Sequence, residues 1–179
     1  MKNVFTDKLK SINCLMLSTI CILVIPLTTL SNKILFFAPY LAFNFYGKSK
    51  TNILMTAFVL GWFSDICSDF VFNSYTILYS LTAYLCYPLH KFFFKDKILS
   101  IPLITIFFSI VFSCLSYLVL PCLGVDFEFS YRLITLDLRQ ALLTDFVYSL
   151  LICVLPAVMI DKINRLVLLI KRFKIKPIK

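Results

Sequence analysis

Long uncharged, apolar runs separated by short polar stretches set the pattern of this 179-residue chain. The runs cover residues 11–32, 34–47, 51–64, 70–89, 98–125 and 146–160. A spanning helix needs about 20 apolar residues, and the first, fourth and fifth runs reach that length. The third reaches it by continuing through Asp65 and Asp69, and the sixth by starting near Ala141. The second has 14 residues, about 21 Å of helix at 1.5 Å per residue. It must therefore borrow interfacial residues such as Asn32 and Lys33, or re-enter the side it came from. The pattern predicts an all-α, polytopic integral membrane protein with about six transmembrane helices. These lie near residues 11–32, 34–47, 51–70, 71–90, 98–123 and 141–160, in a single membrane domain over 1–179.

The charged residues orient this arrangement. With both termini cytoplasmic, fifteen of the 18 basic residues fall inside, and only Lys33, Arg132 and Arg139 fall outside, as the positive-inside rule requires. If the second run failed to cross, the basic tail 161–179 would lie outside. The first run follows a basic stretch, as in a secretory signal. It is longer than a signal's 7–15-residue apolar region and no A-x-A site follows, so it reads as a retained helix. Residues 126–140 alternate polar and apolar positions and equally place Glu128, Arg132, Thr135 and Arg139 on one helical face. Strand and interfacial helix both stay open there.

Composition agrees. Sixty per cent of residues are hydrophobic, 15% are charged, and the mean hydropathy is +0.92, against roughly 45–50% apolar in soluble domains. The net charge of +9 sits beside the apolar runs and in the tail, as expected against anionic headgroups, not along one soluble face as in a nucleic-acid reader. No nucleic-acid partner is implied. The seven cysteines form no CxxC pair and lie mostly within apolar runs, where Cys acts as a small hydrophobe. His90 has no second His to complete a metal site. There is no Walker loop, G-x-S-x-G elbow or H-E-x-x-H helix. The residues point to no catalytic centre, metal or cofactor. With three glycines and no GxxxG seam, the helices must pack through Ser, Thr, Cys and aromatic side chains.

Two stretches carry candidate chemistry. Gly61, Asp65 and Asp69 recur every four residues and share a helical face, with Ser68 beside them. Carboxylates at this depth are costly. Three readings fit: solvated acids at the outer interface that cap the turn at Asn73 and Ser74, a buried anchor for helix packing or a partner, or a carboxylate pair for catalysis or ion binding. In the tail, Arg165, Lys171, Arg172 and Lys174 border the apolar block 166–170. This reads as a stop-transfer and headgroup anchor, or as a docking surface for a cytoplasmic partner.

Gly61-Trp-Phe-Ser-Asp65 in the third run, Asn73 to Tyr84 after it, Ala38-Pro39-Tyr40 in the second and Leu155-Pro156 in the last together resemble the rod-shape-determining MreD family. The layout matches over most of the chain and the residues over about 38–90. Asn73 stands where the family commonly has Gly, and Tyr40 where it commonly has an acid. The resemblance implies a non-enzymatic inner-membrane scaffold, without cofactor, that binds the bitopic protein MreC. Through it, actin-like filaments in the cytoplasm would be linked to the enzymes of peptidoglycan synthesis. It marks Pro39, Gly61, Asp65, Asp69 and Asn73 as motif or partner-binding candidates. A different class fits the same size and span number: the six-span substrate-binding component of a vitamin-type uptake transporter. A lipid-acting enzyme would need Asp65 and Asp69 as its acid/base or metal pair, with nothing supplying the remaining groups.

Overall fold

The computed structural model describes residues 2–24, 35–46, 48–68, 72–91, 97–124 and 131–174. Every element among them is helical: α1 (Lys2–Val24), α2 (Ala38–Asn44), α3 (Lys50–Cys67), α4 (Ser74–Cys86), α5 (Lys97–Cys122), α6 (Tyr131–Gln140), α7 (Phe146–Ser149) and α8 (Leu155–Lys174). A 3₁₀ turn, Tyr87–Lys91, extends α4. Two π-helical turns, Ala141–Asp145 and Leu150–Val154, join α6, α7 and α8 into one long rod. Residues 131–140, open to two readings from the sequence, are therefore helical. The tail also continues the last helix, to Lys174.

Among the described residues two helices are long and apolar enough to cross a membrane, Ser100–Cys122 and Leu142–Ile163. Their outward positions, and those of α1 and α3, are apolar: Met16, Met55, Phe58, Trp62, Leu118 and Leu151 are each at least half exposed. A water-soluble bundle would place its polar residues there. Here the polar side chains Ser18, Asn44, Ser64, Thr82, Thr105 and Ser109 are instead buried between helices.

The helices pack antiparallel, and not only with their neighbours in sequence. Lys10 of α1 bonds Asp161 of α8 at 2.7 Å, and Cys14 is joined to Cys153 by a disulfide. Two of the seven cysteines thus form a covalent strap between the first and last helices, and do not serve as the separate small hydrophobes their runs suggested. The remaining five are free. Next, α4 packs on α5 through an aromatic cluster in which Tyr79 meets Phe108 and Phe112 at 5.8 and 5.3 Å. Tyr75 stacks on Phe112 at 5.9 Å. This is the aromatic packing expected where glycine seams are missing.

The second run departs most from its expected form. Its described helix, α2, has seven residues, roughly 10 Å long, and begins in the middle of the bundle. The Ser11 hydroxyl donates to Asn44 Oδ1 at 3.2 Å, and the Tyr148 hydroxyl donates to the Phe36 carbonyl at 3.2 Å. Therefore α2 runs antiparallel to α1, and its C-terminal end reaches the level of the Lys10–Asp161 pair. Pro39 stands in its first turn, where the missing N–H costs nothing. Residues 35–42 are all buried, the condition under which non-helical backbone at membrane depth is tolerated.

Candidate functional site

The Gly61–Asp65 motif closes a helical hairpin. A helix leaves its first N–H groups without intrahelical acceptors, usually satisfied by the side chain of its own N-cap residue. In α4 the N-cap is Asn73, which makes no side-chain cap. Asp65, one helix earlier, supplies it. The Tyr75 N–H donates to Asp65 Oδ1 at 2.8 Å, and the Thr76 N–H donates to Oδ2 at 2.9 Å. The Thr76 hydroxyl also donates to Oδ2, at 2.6 Å. The carboxylate is thus held by three donors at the positive end of a helix dipole, and Asp65 is 3% exposed.

Gly61 sits one turn before Asp65 and lets the two backbones meet. A Cβ there would stand 2.6 Å from Thr76 Cα and 2.8 Å from the Tyr75 carbonyl oxygen. Asn73 turns the chain between the helices with φ of 80°, left-handed backbone that Asn tolerates better than most residues. At the other end of the hairpin the Lys50 ammonium lies 3.7 Å from the centre of the Tyr84 ring, a cation–π contact.

Of the sequence candidates, Gly61, Asp65 and Asn73 are therefore brought together, and the buried-anchor reading of Asp65 is the one the geometry matches. Its carboxylate is turned to α4 and not toward an outside partner. Asp69 lies outside the described residues. Pro39 lies in α2, away from the hairpin turn. Arg165, Lys171, Arg172 and Lys174 lie on the C-terminal half of α8; their side chains fall outside the description.

A second buried acid went unnoticed in the sequence. Asp145 ends the first π turn and is also 3% exposed. The Ser109 hydroxyl of α5 donates to its Oδ2, and the Leu35 backbone N–H faces the same carboxylate. Its Oδ1 has no hydrogen-bond partner among the described residues. Around it, three successive residues before α2 each direct a backbone group at a buried side chain: Leu35 N–H at Asp145, the Phe36 carbonyl at Tyr148, and Phe37 N–H at the Tyr79 hydroxyl. The Tyr148 hydroxyl thereby satisfies the Phe36 carbonyl at the break. The signal was available. Extending the sixth run back to Ala141 draws Asp145 into a span, and an acid there requires an explanation.

Among the described residues no three His, Cys, Asp or Glu side chains are grouped to hold a metal ion. No protein-family model matches the sequence, no curated protein matches it, and no solved structure matches the fold.

Proposed function

We propose that this chain is a non-enzymatic, multi-pass scaffold of the bacterial cell-shape and elongation machinery, resident in the inner membrane. It binds an MreC-like bitopic protein and links cytoplasmic actin-like filaments to wall-synthesis enzymes. The observation that carries the reading is the use made of the Gly-x-x-x-Asp signature. Gly61 and Asp65, two of the residues that carry the MreD resemblance, are spent on joining α3 to α4. Every oxygen of Asp65 is engaged in that joint, which suits a protein whose work is to present a fixed shape.

Charge placement supports the orientation. Lys10, Asn44, Lys50, Tyr84, Tyr87 and Asp161 gather at one end of the bundle through the contacts Lys10–Asp161, Ser11–Asn44, Phe45–Tyr87 and Lys50–Tyr84. Lys8, Lys48 and Lys162 are close neighbours of these residues in sequence, so basic residues of α1, α8 and the segment after α2 collect at this end. In the proposed six-span topology it faces the cytoplasm and anionic lipid.

The test is a mild-detergent pull-down of the tagged protein from its native membrane, followed by mass spectrometry. Recovery of a bitopic periplasmic coiled-coil protein with wall-synthesis enzymes supports the scaffold. Recovery of an ATPase pair with a small transmembrane coupler overturns it in favour of a transporter component.

A further inference from the structure

Two aspartates of equal burial are treated oppositely by this fold. At Asp65 two backbone N–H groups and a hydroxyl donate to the two carboxyl oxygens, at a helix N-terminus. Asp145 has a hydroxyl at Oδ2, a facing N–H, and nothing at Oδ1 among the described residues. Ser109 of α5 bonds it, the Leu35 backbone lies against it, and Tyr79 of α4 and Tyr148 of α7 are near enough to interact with it electrostatically, with Cys21 of α1 near Tyr148. Among the described residues none of these groups is a cation. The single ion pair among the described residues, Lys10–Asp161, involves a different acid. An isolated carboxylate in a low-dielectric interior costs several kcal/mol or more, and such a group is neutralised instead.

We propose that Asp145 is a proton-binding site at the centre of the bundle. In the packed state it holds one proton as a neutral carboxylic acid. The proton leaves to water only when the carboxyl becomes solvated. One O–H bond breaks, one hydronium forms, and no other reactant is needed. The site is independent of the scaffold reading, requiring only that the bundle sit in lipid.

Infrared difference spectroscopy on the full chain in lipid nanodiscs, titrated with pH, tests this directly. A protonated-carboxyl C=O band should be present at neutral pH, absent in Asp145→Asn and retained in Asp65→Asn. Ser109→Ala should keep the band and move it to higher frequency, since it removes a hydrogen bond to the carbonyl oxygen. Absence of the band at neutral pH, or its survival in Asp145→Asn, overturns the proposal. So does a carboxylate band that is lost in Asp145→Asn and shifts when sodium is exchanged for potassium, which would make the site a cation site. Melting temperature gives a second readout. At neutral pH Asp145→Asn, a neutral isostere, should melt no lower than the wild type, whereas Asp65→Asn should melt lower. If Asp145→Asn fails to assemble, the carboxyl resonances of wild type and Ser109→Ala labelled with [4-¹³C]aspartate decide the same question. Loss of one protonated resonance on raising pH, shifted in Ser109→Ala, supports the site; a wholly ionised set overturns it.

Discussion

Asp65 shows how one side chain can serve a helix it does not belong to. Removing an N-cap costs typically about 1 kcal/mol, and leaving buried donors unsatisfied adds about 1–3 kcal/mol. Asp65→Ala loses both and strands the Thr76 hydroxyl as well. The variant should lower the detergent melting temperature clearly, with insertion into membranes retained in a fractionation assay. At Gly61 the neighbouring atoms are backbone, which cannot swing aside as a side chain can. Gly61→Ala should therefore destabilise by about 1–3 kcal/mol, the usual cost of overpacking, seen as a lower melting temperature. Asn73 gives the opposite expectation. Asn73→Gly keeps the left-handed turn and should change stability by less than about 1 kcal/mol, whereas Asn73→Val should lower it, because a β-branched residue resists positive φ.

At the scale of elements, the rod from α6 to α8 is the least regular part of the fold. Pro156 supplies a reason for the second π turn. A proline has no N–H and collides with the carbonyl four residues earlier, here Ile152, and the wider turn Leu150–Val154 absorbs that conflict. The first π turn ends on Asp145, with Leu142, Leu143 and Thr144 exposed and Asp145 buried. The same rod carries Cys153, tied to Cys14 across 139 residues. Alkylation of the unreduced, denatured protein should label Cys21, Cys67, Cys86, Cys114 and Cys122 and spare the other two. Peptide mapping should then recover a linked pair containing Cys14 and Cys153; full labelling of all seven would remove the strap. Sequence spacing could not show this pairing, because it depends on α1 and α8 lying side by side.

For the whole molecule, apolar run lengths made the helical class and most helix positions legible, since lipid-facing surfaces must be apolar along their full length. The hairpin joint was partly legible too: a four-residue spacing put Gly61 and Asp65 on one face, but only the packed pair shows which acceptor meets which donor. The shortness of the second run was legible from its 14 residues, but that α2 begins only at Ala38, after a buried non-helical stretch, was not. Basic residues collected at one end lead to a topological expectation. Reporter fusions at either terminus should be read on the cytoplasmic side, with a fluorescent protein bright and a periplasm-dependent phosphatase inactive. A phosphatase active at only one terminus would mean an odd number of crossings.

The order in which a ribosome delivers the hairpin gives Asp65 a further meaning. The acid emerges ten residues before the first amide that will hold it, so α3 carries an unsatisfied charge toward the bilayer until the start of α4 arrives. Stable entry of α3 into lipid is then tied to the synthesis of its successor. A nascent chain halted before Ser74 presents a helix with a bare carboxylate, while one that includes α4 presents a closed pair whose polar groups are spent on each other. Closing the hairpin spares the bilayer an unpartnered acid, which favours entry of the two helices together.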